Sequence, residues 1–386
     1  MVDLDAVRDN ARALARAVAP ARLWAVVKAD AYGHGAVRVA QAALEGGADA
    51  LCVALPQEAL ALRAAGVGAG ILVLGPTREA EMVVLGEAGV WVTVADAAAA
   101  GEARSAARRL PQAARPLAVH LKVDTGMGRI GCRPEEAPRL ARALAEDAHL
   151  HLAGVFTHLA CADEDPAFTR WQLERFARAR AEVTAALPQG VRPLWHAANS
   201  AGALAEPRSR LDAVRVGIAL YGYPALPPGA PPPPPLRPPL SLLSRVSFVK
   251  RVPPGTPVSY GATHRTAGER MLATIPAGYA DGVRRALTGL EVAVAGRRVP
   301  VVGRVTMDQL VVEGPADWEV KVGDRAVLLA GGEGPDAAAW ARHLGTIPYE
   351  VLTGLSARVP RLYVGRGGAA TGAEEGSAGS RDGAAR

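Results

Sequence analysis

The sequence predicts an α/β protein, an N-terminal (β/α)8 TIM-type barrel followed by a C-terminal, mostly-β domain. Three observations predict it. Residues 1–222 alternate short apolar, β-rich runs with Ala/Arg/Glu/Leu-rich stretches of helical periodicity. A proline-rich segment, YPALPPGAPPPPPLRPPL, breaks that pattern at 223–240 and reads as a semi-rigid extended linker. Over 241–366 the apolar runs are short and punctuated by Gly and Pro, as in an all-β domain.

The barrel strands are read in order as LWAVVKA (23–29), ALCVAL (50–55), ILVLG (71–75), WVTVAD (91–96), LAVHLKVD (117–124), LAGVFTHL (152–159), PLWHAANS (193–200) and AVRVGIALYG (213–222). Their apolar content implies burial on both faces, the signature of a parallel sheet. Amphipathic stretches such as PAFTRWQLERFARARAEVTAAL lie between most of them and supply the crossover helices. No GxGxxG follows any strand, which counts against a dinucleotide-binding fold. Past the linker, LLSRVSFVK, MLATIPAGY, EVAVAGRRVPVVGRV, LVVEG and RAVLLAG read as strands, and DAAAWARHLG as a short helix. Residues 367–386 lack apolar periodicity and read as a disordered tail.

Composition excludes several classes. The net charge of +6 would suit nucleic acid, but the basic residues are dispersed and aromatics make up only 4%. No run approaches the roughly 18 apolar residues of a membrane helix, and the charged N-terminus lacks a signal core. Cys52, Cys132 and Cys161 are odd in number and scattered, which suits a reduced cytoplasm and offers no metal-ligand spacing. One bias is more pointed: of 44 basic residues only Lys28, Lys122, Lys250 and Lys321 are lysines. Arginine serves wherever charge suffices, whereas only a lysine amine forms an ordinary imine with an aldehyde. Lys250 and Lys321 lie in alternating segments and are expected on solvated strand faces.

In a (β/α)8 barrel the reactive groups sit at the C-terminal strand ends, and polar residues gather there in this sequence. Strand 1 leads into Lys28, Asp30 and Tyr32; strand 5 into Lys122, Asp124 and Arg129; strand 6 into Thr157 and His158. Strand 7 leads into Asn199 and Ser200, and strand 8 carries Arg215 ahead of Gly217 and Ile218. A lysine at an apolar barrel mouth loses hydration, which lowers its pKa and frees the neutral amine. Ser200 and the amides near Gly217 and Ile218 are groups that would suit a phosphate, although Asn199-Ser200 also reads as a plain helix cap.

With those residues in view, the chain resembles alanine racemase, a two-domain, fold-type III pyridoxal 5′-phosphate (PLP) enzyme family. The segments that carry the likeness include VDLDAVRDN, AVVKADAYGHGA, HLKVDTGMGRIG, HAANSAG, VRVGIALYG, VSYGATHRT, IPAGYADG, VVGRVTMDQ and PYEVLTGLSARVPR, spread over residues 2–363. The resemblance implies that Lys28 binds PLP and acts as one catalytic base. It implies that Tyr260 is the opposing base and comes from the partner of a head-to-tail homodimer. It assigns Arg129 and Met307 to the substrate carboxylate, Lys122 to a carbamylated lysine that holds Arg129, and Tyr279 to a narrowed entrance. Tyr32, Ser200, Gly217 and Ile218 match the phosphate-holding residues, Arg215 the contact to the pyridine nitrogen, and His158 and Asn199 the cofactor's surroundings.

The implied activity is interconversion of L-alanine and D-alanine in the cytoplasm, supplying peptidoglycan synthesis, without metal, nucleic-acid or membrane partners. A fold-type III racemase of another amino acid such as serine would share these motifs. A non-catalytic PLP-binding protein would lack the second domain with Tyr260 and Met307. A decarboxylase of the same fold would want a carboxylate where Arg215 stands. The chain departs from the family pattern in three places. It begins almost at VDLDA, where members carry an earlier strand, which implies a late start. Ala357 stands where many members have a phosphate-contacting tyrosine, which implies weaker PLP retention. The proline-rich linker and the C-terminal tail are local elaborations.

Overall fold

In the computed structural model, which describes residues 1–365 and the backbone of 368–371, eight parallel strands close on themselves. After a short β1 (Val2–Asp3) come β2 (Arg22–Val26), β3 (Ala50–Val53), β4 (Gly70–Pro76), β5 (Trp91–Val94), β6 (Leu117–Lys122), β7 (Leu150–Phe156), β8 (Leu194–His196) and β9 (Ala213–Val216). Neighbours pair in sequence order, and β9 returns to β2 with Arg22 opposite Ala213, closing the (β/α)8 barrel. Trp24, Phe156, His120 and His196 fill its interior, so the barrel is a packed core and not a pore.

Local chemistry explains the surrounding helices. Asp3 caps Leu4–Val18 by accepting from the Ala6 N–H at 3.0 Å, and Ala6, Val7, Asn10, Ala11, Leu14 and Val18 bury one stripe at 3–4-residue spacing. Asp165 caps the long helix Pro166–Ala186 in the same way, with proline at its first position. Asp96 caps Ala97–Arg109, and the Arg-rich last turn complements the helix dipole.

The second domain holds β10 (Leu242–Arg245), β11 (Phe248–Val252), β12 (Pro257–Val258), β13 (His264–Arg265), β14 (Arg270–Ile275), β15 (Glu291–Val294), β16 (Arg297–Val302), β17 (Leu310–Pro315) and β18 (Arg325–Leu329). Seven of them form an antiparallel sheet in the order β10-β18-β15-β16-β17-β14-β11. The predicted short helix is Ala337–Leu344, capped by Asp336 and ended by left-handed Gly345. The chain then returns to the barrel domain. There β19 (Tyr363–Gly365) pairs in parallel with β1, and β20 (Gly368–Thr371) pairs with β19. Regular backbone thus reaches a few residues into the stretch 367–386 assigned to a tail; the remainder of that stretch lies outside the described residues.

Several local readings change. The strands read to 96, 124, 159 and 222 stop at Val94, Lys122, Phe156 and Val216. Asp124, Thr157 and His158 therefore stand past their strands, and Ile218–Tyr221 forms a 3-10 turn. Lys28 and Asn199-Ser200 stand beyond the ends of their strands, since β2 stops at Val26 and β8 at His196. Lys250 is an exposed residue of β11 as expected, but Lys321 sits in a turn closed by its own N–H to the Asp324 carboxylate, outside any strand. The Val-Lys-Val alternation around it is too short to outweigh the Gly-Asp turn that follows.

Asn10 is one of the residues that tie down the proline-rich segment. Asn10, 1% exposed, donates to the Leu220 and Arg237 carbonyls at 2.9 and 2.7 Å and accepts from the Arg237 N–H at 2.8 Å. One side chain therefore satisfies both the turn after β9 and the end of the linker. Asn10→Ala strands three backbone groups and is expected to lower stability by about 2–4 kcal/mol. A urea titration followed by tryptophan fluorescence reads the loss.

Candidate active site

Lys28 opens a turn that the sequence gives no reason to expect. Ala29, Asp30, Ala31 and Tyr32 all hold φ of 52–55° with ψ of 41–52°, one turn of left-handed helix built from four non-glycine residues. Each L-residue in that conformation costs about 1–2 kcal/mol, so the surroundings must hold it. The Tyr32 ring packs on Tyr221 with centroids 4.6 Å apart, and Asp30 accepts from the Ala36 N–H at 2.7 Å. Arg361, from the end of the second domain, donates to the Gly33 carbonyl at 2.9 Å. Gly33 has φ 78°, and a Cβ there would lie 2.6 Å from the Leu352 carbonyl oxygen. Only glycine fits both constraints.

This turn forms one wall of a cavity of about 320 Å³ at the C-terminal mouth of the barrel. Lys28, Tyr32, His158, Asn199, Ser200, Arg215, Gly217 and Ile218 all line it, so eight residues singled out from sequence converge. Asn199 is indeed a helix cap, accepting from the Gly202 N–H at 2.9 Å, and it lines the cavity as well. The Ser200 hydroxyl accepts from the Gly217 and Ala219 N–H groups at 3.0 and 3.3 Å. A Cβ on Gly217 would come within 2.4 Å of the Tyr32 hydroxyl, so the absence of a side chain keeps that corner open.

Arg215 sits at the floor of this cavity, 3% exposed and, among the described residues, with no carboxylate partner. It donates to the Thr157 and Ala197 carbonyls at 2.7 and 3.0 Å, to His196 Nδ1 at 2.6 Å and to His158 Nδ1 at 3.2 Å. Arginine has no acceptor, so His196 Nδ1 must accept and its Nε2 carries the proton. That proton faces His120 Nδ1 at 3.0 Å, which leaves buried His120 Nε2 without a hydrogen-bond partner among the described residues. Burial and the Arg215 charge hold His196 and His158 well below the ordinary histidine range and lower His120 to about 3. All three imidazoles are neutral at physiological pH.

The amines respond likewise. Burial, then the Arg129 charge, lowers Lys28, against a smaller opposing pull from Glu58. Burial, then Arg215 and Arg129, lowers Lys122 to about 8. Lys122 does not line the cavity. Its Nζ lies 5.6 Å from the Phe156 ring centroid, and Arg215 lies 5.1 Å from the same ring. Arg129 is exposed, in a loop wound around Asp124, whose carboxylate accepts from the Gly126, Met127 and Gly128 N–H groups.

The second-domain residues fall elsewhere. Tyr260, Met307 and Tyr279 are 72, 53 and 46% exposed, and none lines the barrel cavity. They share one outer face: Tyr279 and Ala280 donate to the Thr306 and Met307 carbonyls, and Thr306 borders a shallow pocket with Tyr260 and Arg304.

Some site residues escaped the sequence reading. Tyr349 and Thr353, on the short helix Pro348–Thr353, reach the barrel cavity from the second domain of the same chain. Ala357, expected at the phosphate end, lines an adjoining cavity with Asp30, Gly33 and Arg361 instead. The PYEV segment was the available signal for Tyr349, but nothing in its local pattern points it across a domain boundary. His196 and His120 went unnoticed because they sit inside strands that read as core.

Residues 2–225 match the family model for the alanine racemase N-terminal domain, and 240–363 that for the alanine racemase C-terminal domain. An alanine racemase of Symbiobacterium thermophilum is 49% identical over 94% of this chain and 96% of its own length. One of Thermobifida fusca is 46% identical over 94% and 97%. The crystal structure of alanine racemase from D-cycloserine-producing Streptomyces lavendulae superposes with a TM-score of 0.86 at 41% identity, covering 94% of this chain and 96% of that one. The Bacillus anthracis enzyme, solved with bound L-Ala-P, gives 0.85 at 39%, covering 96% of each chain. Matched through both domains, and sharing with these enzymes a closed eight-stranded barrel followed by a mostly-β domain, the chain belongs to the alanine racemase family.

Proposed function

We propose that this protein interconverts L-alanine and D-alanine with PLP held on Lys28. One observation carries the reading: in a chain that alanine racemase relatives match over 94% of its length, Lys28 lines one cavity with Arg215, Ser200 and Gly217. The residues fit the cofactor. The cavity falls within the roughly 300–1,000 Å³ of small-molecule sites, a depressed lysine amine stands at its wall, and the corner at Gly217 would be filled by any side chain. Tyr32, Ser200 and the amides of Gly217 and Ile218 would hold the phosphate. His158 and Asn199 would flank the ring, and Arg215 would meet its nitrogen.

Bound PLP supplies an aldehyde for amine capture and a ring that withdraws electrons from the amino acid's α-carbon. This chain's residues do the rest. Arg215 can only donate, so a ring nitrogen facing it stays unprotonated and the ring withdraws electrons more weakly. Lys28 Nζ and the Tyr260 hydroxyl are the two groups to hold and move a proton on opposite faces of the α-carbon. Tyr260 is remote from its own chain's cavity, so it would arrive as Tyr260 of the partner subunit in a head-to-tail homodimer, with Met307 and Tyr279 on the same face. Arg129 and Met307 would bind the carboxylate and Tyr279 would narrow the approach. Lys122, once carbamylated, would pair with Arg129. Such an enzyme would work in the cytoplasm and supply D-alanine for peptidoglycan.

The direct test follows L-alanine turning into D-alanine by chiral chromatography, with serine in parallel. Alanine is expected to invert and serine to lag, while Lys28→Ala loses all turnover and the borohydride-fixed cofactor. Inversion of neither amino acid by fully loaded protein would sink the proposal. Tyr260→Phe is expected to cut turnover by about 10²–10³-fold. Its solvent-isotope exchange at the α-carbon should fail from one enantiomer and persist from the other. Lys122 gives a pH signature. CO2 adds to the neutral amine and releases a proton, so the carbamate gains as pH rises through the amine's value of about 8. At fixed dissolved ¹³CO2, a carbamate resonance should grow between pH of about 7 and about 9 and be absent in Lys122→Ala.

A further inference from the structure

The left-handed turn after Lys28 exposes an accounting problem. A residue held in a sparsely populated conformation persists only where its neighbours over-determine it. Its first amide, Ala29 N–H, follows Lys28 directly and has no partner within the turn. That partner is Glu58. One oxygen of its carboxylate accepts from Ala29 N–H at 2.5 Å. The other accepts from Ala54 and Leu55 N–H at 2.8 and 3.0 Å. The two bonds to Ala54 and Leu55 finish the end of β3 and cap the helix Pro56–Ala64, an ordinary structural task. The bond to Ala29 is not part of that task. It crosses to the neighbouring barrel strand and ends on the residue next to the cofactor lysine.

We infer that Glu58 is a positioning residue for Lys28: its carboxylate ties the first amide of the left-handed turn to the end of β3 and so sets where the amine stands in the cavity. An anion accepting from three backbone amides makes charge-assisted bonds, shorter and stronger than those to a neutral acceptor. The same carboxylate opposes the pull of burial and Arg129 on the Lys28 amine. At the far end of the turn Arg361 holds the Gly33 carbonyl, so the strained residues are pinned at both ends. Loss of the Glu58 pin lets the turn relax from its Lys28 end, where the relaxation moves the amine first.

The inference rests on the reading of Lys28 as the cofactor lysine, and the experiment separates the two. Wild-type, Glu58→Gln and Glu58→Ala holoenzymes are reduced with borohydride and mapped to locate the fixed cofactor. Unreduced samples are treated with hydroxylamine, which takes the aldehyde carbon as an oxime and returns the amine to Lys28. Release is expected to be about threefold faster in Glu58→Gln, which keeps one acceptor, and about tenfold or more faster in Glu58→Ala. Turnover should fall in the same order while the KM for alanine stays within about twofold, since the substrate contacts are untouched. Amide hydrogen exchange should rise in the peptide spanning residues 28–35. Wild-type release rates and exchange in both variants, with only a lower melting temperature, would overturn the inference and leave Glu58 a helix cap. Cofactor fixed at another residue would overturn the Lys28 reading and this one together. If Glu58→Ala does not fold, Glu58→Gln decides alone.

Discussion

A buried guanidinium that pairs with no carboxylate among the described residues sits at the centre of this structure, and much of the site follows from it. Arg215 is buried at the floor of the cavity and donates to two backbone carbonyls and two imidazoles. Burying a charge in this way is expensive unless every proton finds an acceptor. The carbonyls just past β7 and β8 and the acceptor nitrogens of His196 and His158 offset part of that cost, and burial lowers the arginine only to about 10. It stays charged near neutrality. Its field then lowers His196, His158, His120 and Lys122, and with Lys28 and Arg129 it makes a mouth rich in positive charge. Such a site favours anions, and both a phosphate and an amino-acid carboxylate are anions.

The second domain works in two directions. Its C-terminal portion turns back onto the barrel. Arg361 holds the turn after Lys28, Tyr363 packs where Gly35 leaves no room for a side chain, and β19 pairs with β1. Tyr349 and Thr353 thereby become walls of their own chain's cavity. The loops around Tyr260, Tyr279 and Met307 instead present large side chains outward, each about half or more exposed among the described residues. The backbone at this tip is itself strained. Ser259 has φ 60° and ψ −175°, a region that glycine mostly occupies, and its hydroxyl donates to the Arg304 carbonyl at 2.6 Å. A conformation held at that cost just before Tyr260 suits a residue presented for use elsewhere.

Much of this was legible in the residues themselves. Barrel strands buried on both faces must be apolar throughout, so their runs stand out, and helices with one buried stripe repeat every three to four residues. Aspartates at 3, 96, 165 and 336 mark helix starts because a short carboxylate meets the free amides there. The rule that barrels gather chemistry at strand ends then brought Lys28, His158, Ser200 and Arg215 together on paper, and the cavity holds them all. Less legible was the conformation of KADAYGHG, where four ordinary residues adopt a geometry that their own preferences oppose.

The sequence by itself thus determined the barrel, the mostly-β second domain and the membership of most of the cavity, because periodicity and end-capping are local and survive in one dimension. Only the tertiary structure decided that Lys28 begins a left-handed turn, that Glu58 and Arg361 pin it, and that Tyr349 and Thr353 cross from the second domain. The physical reason is shared by all three. A strained turn and a wall built from residues some three hundred positions away owe their geometry to barrel closure and domain docking, which overrule local preference and leave no mark in it.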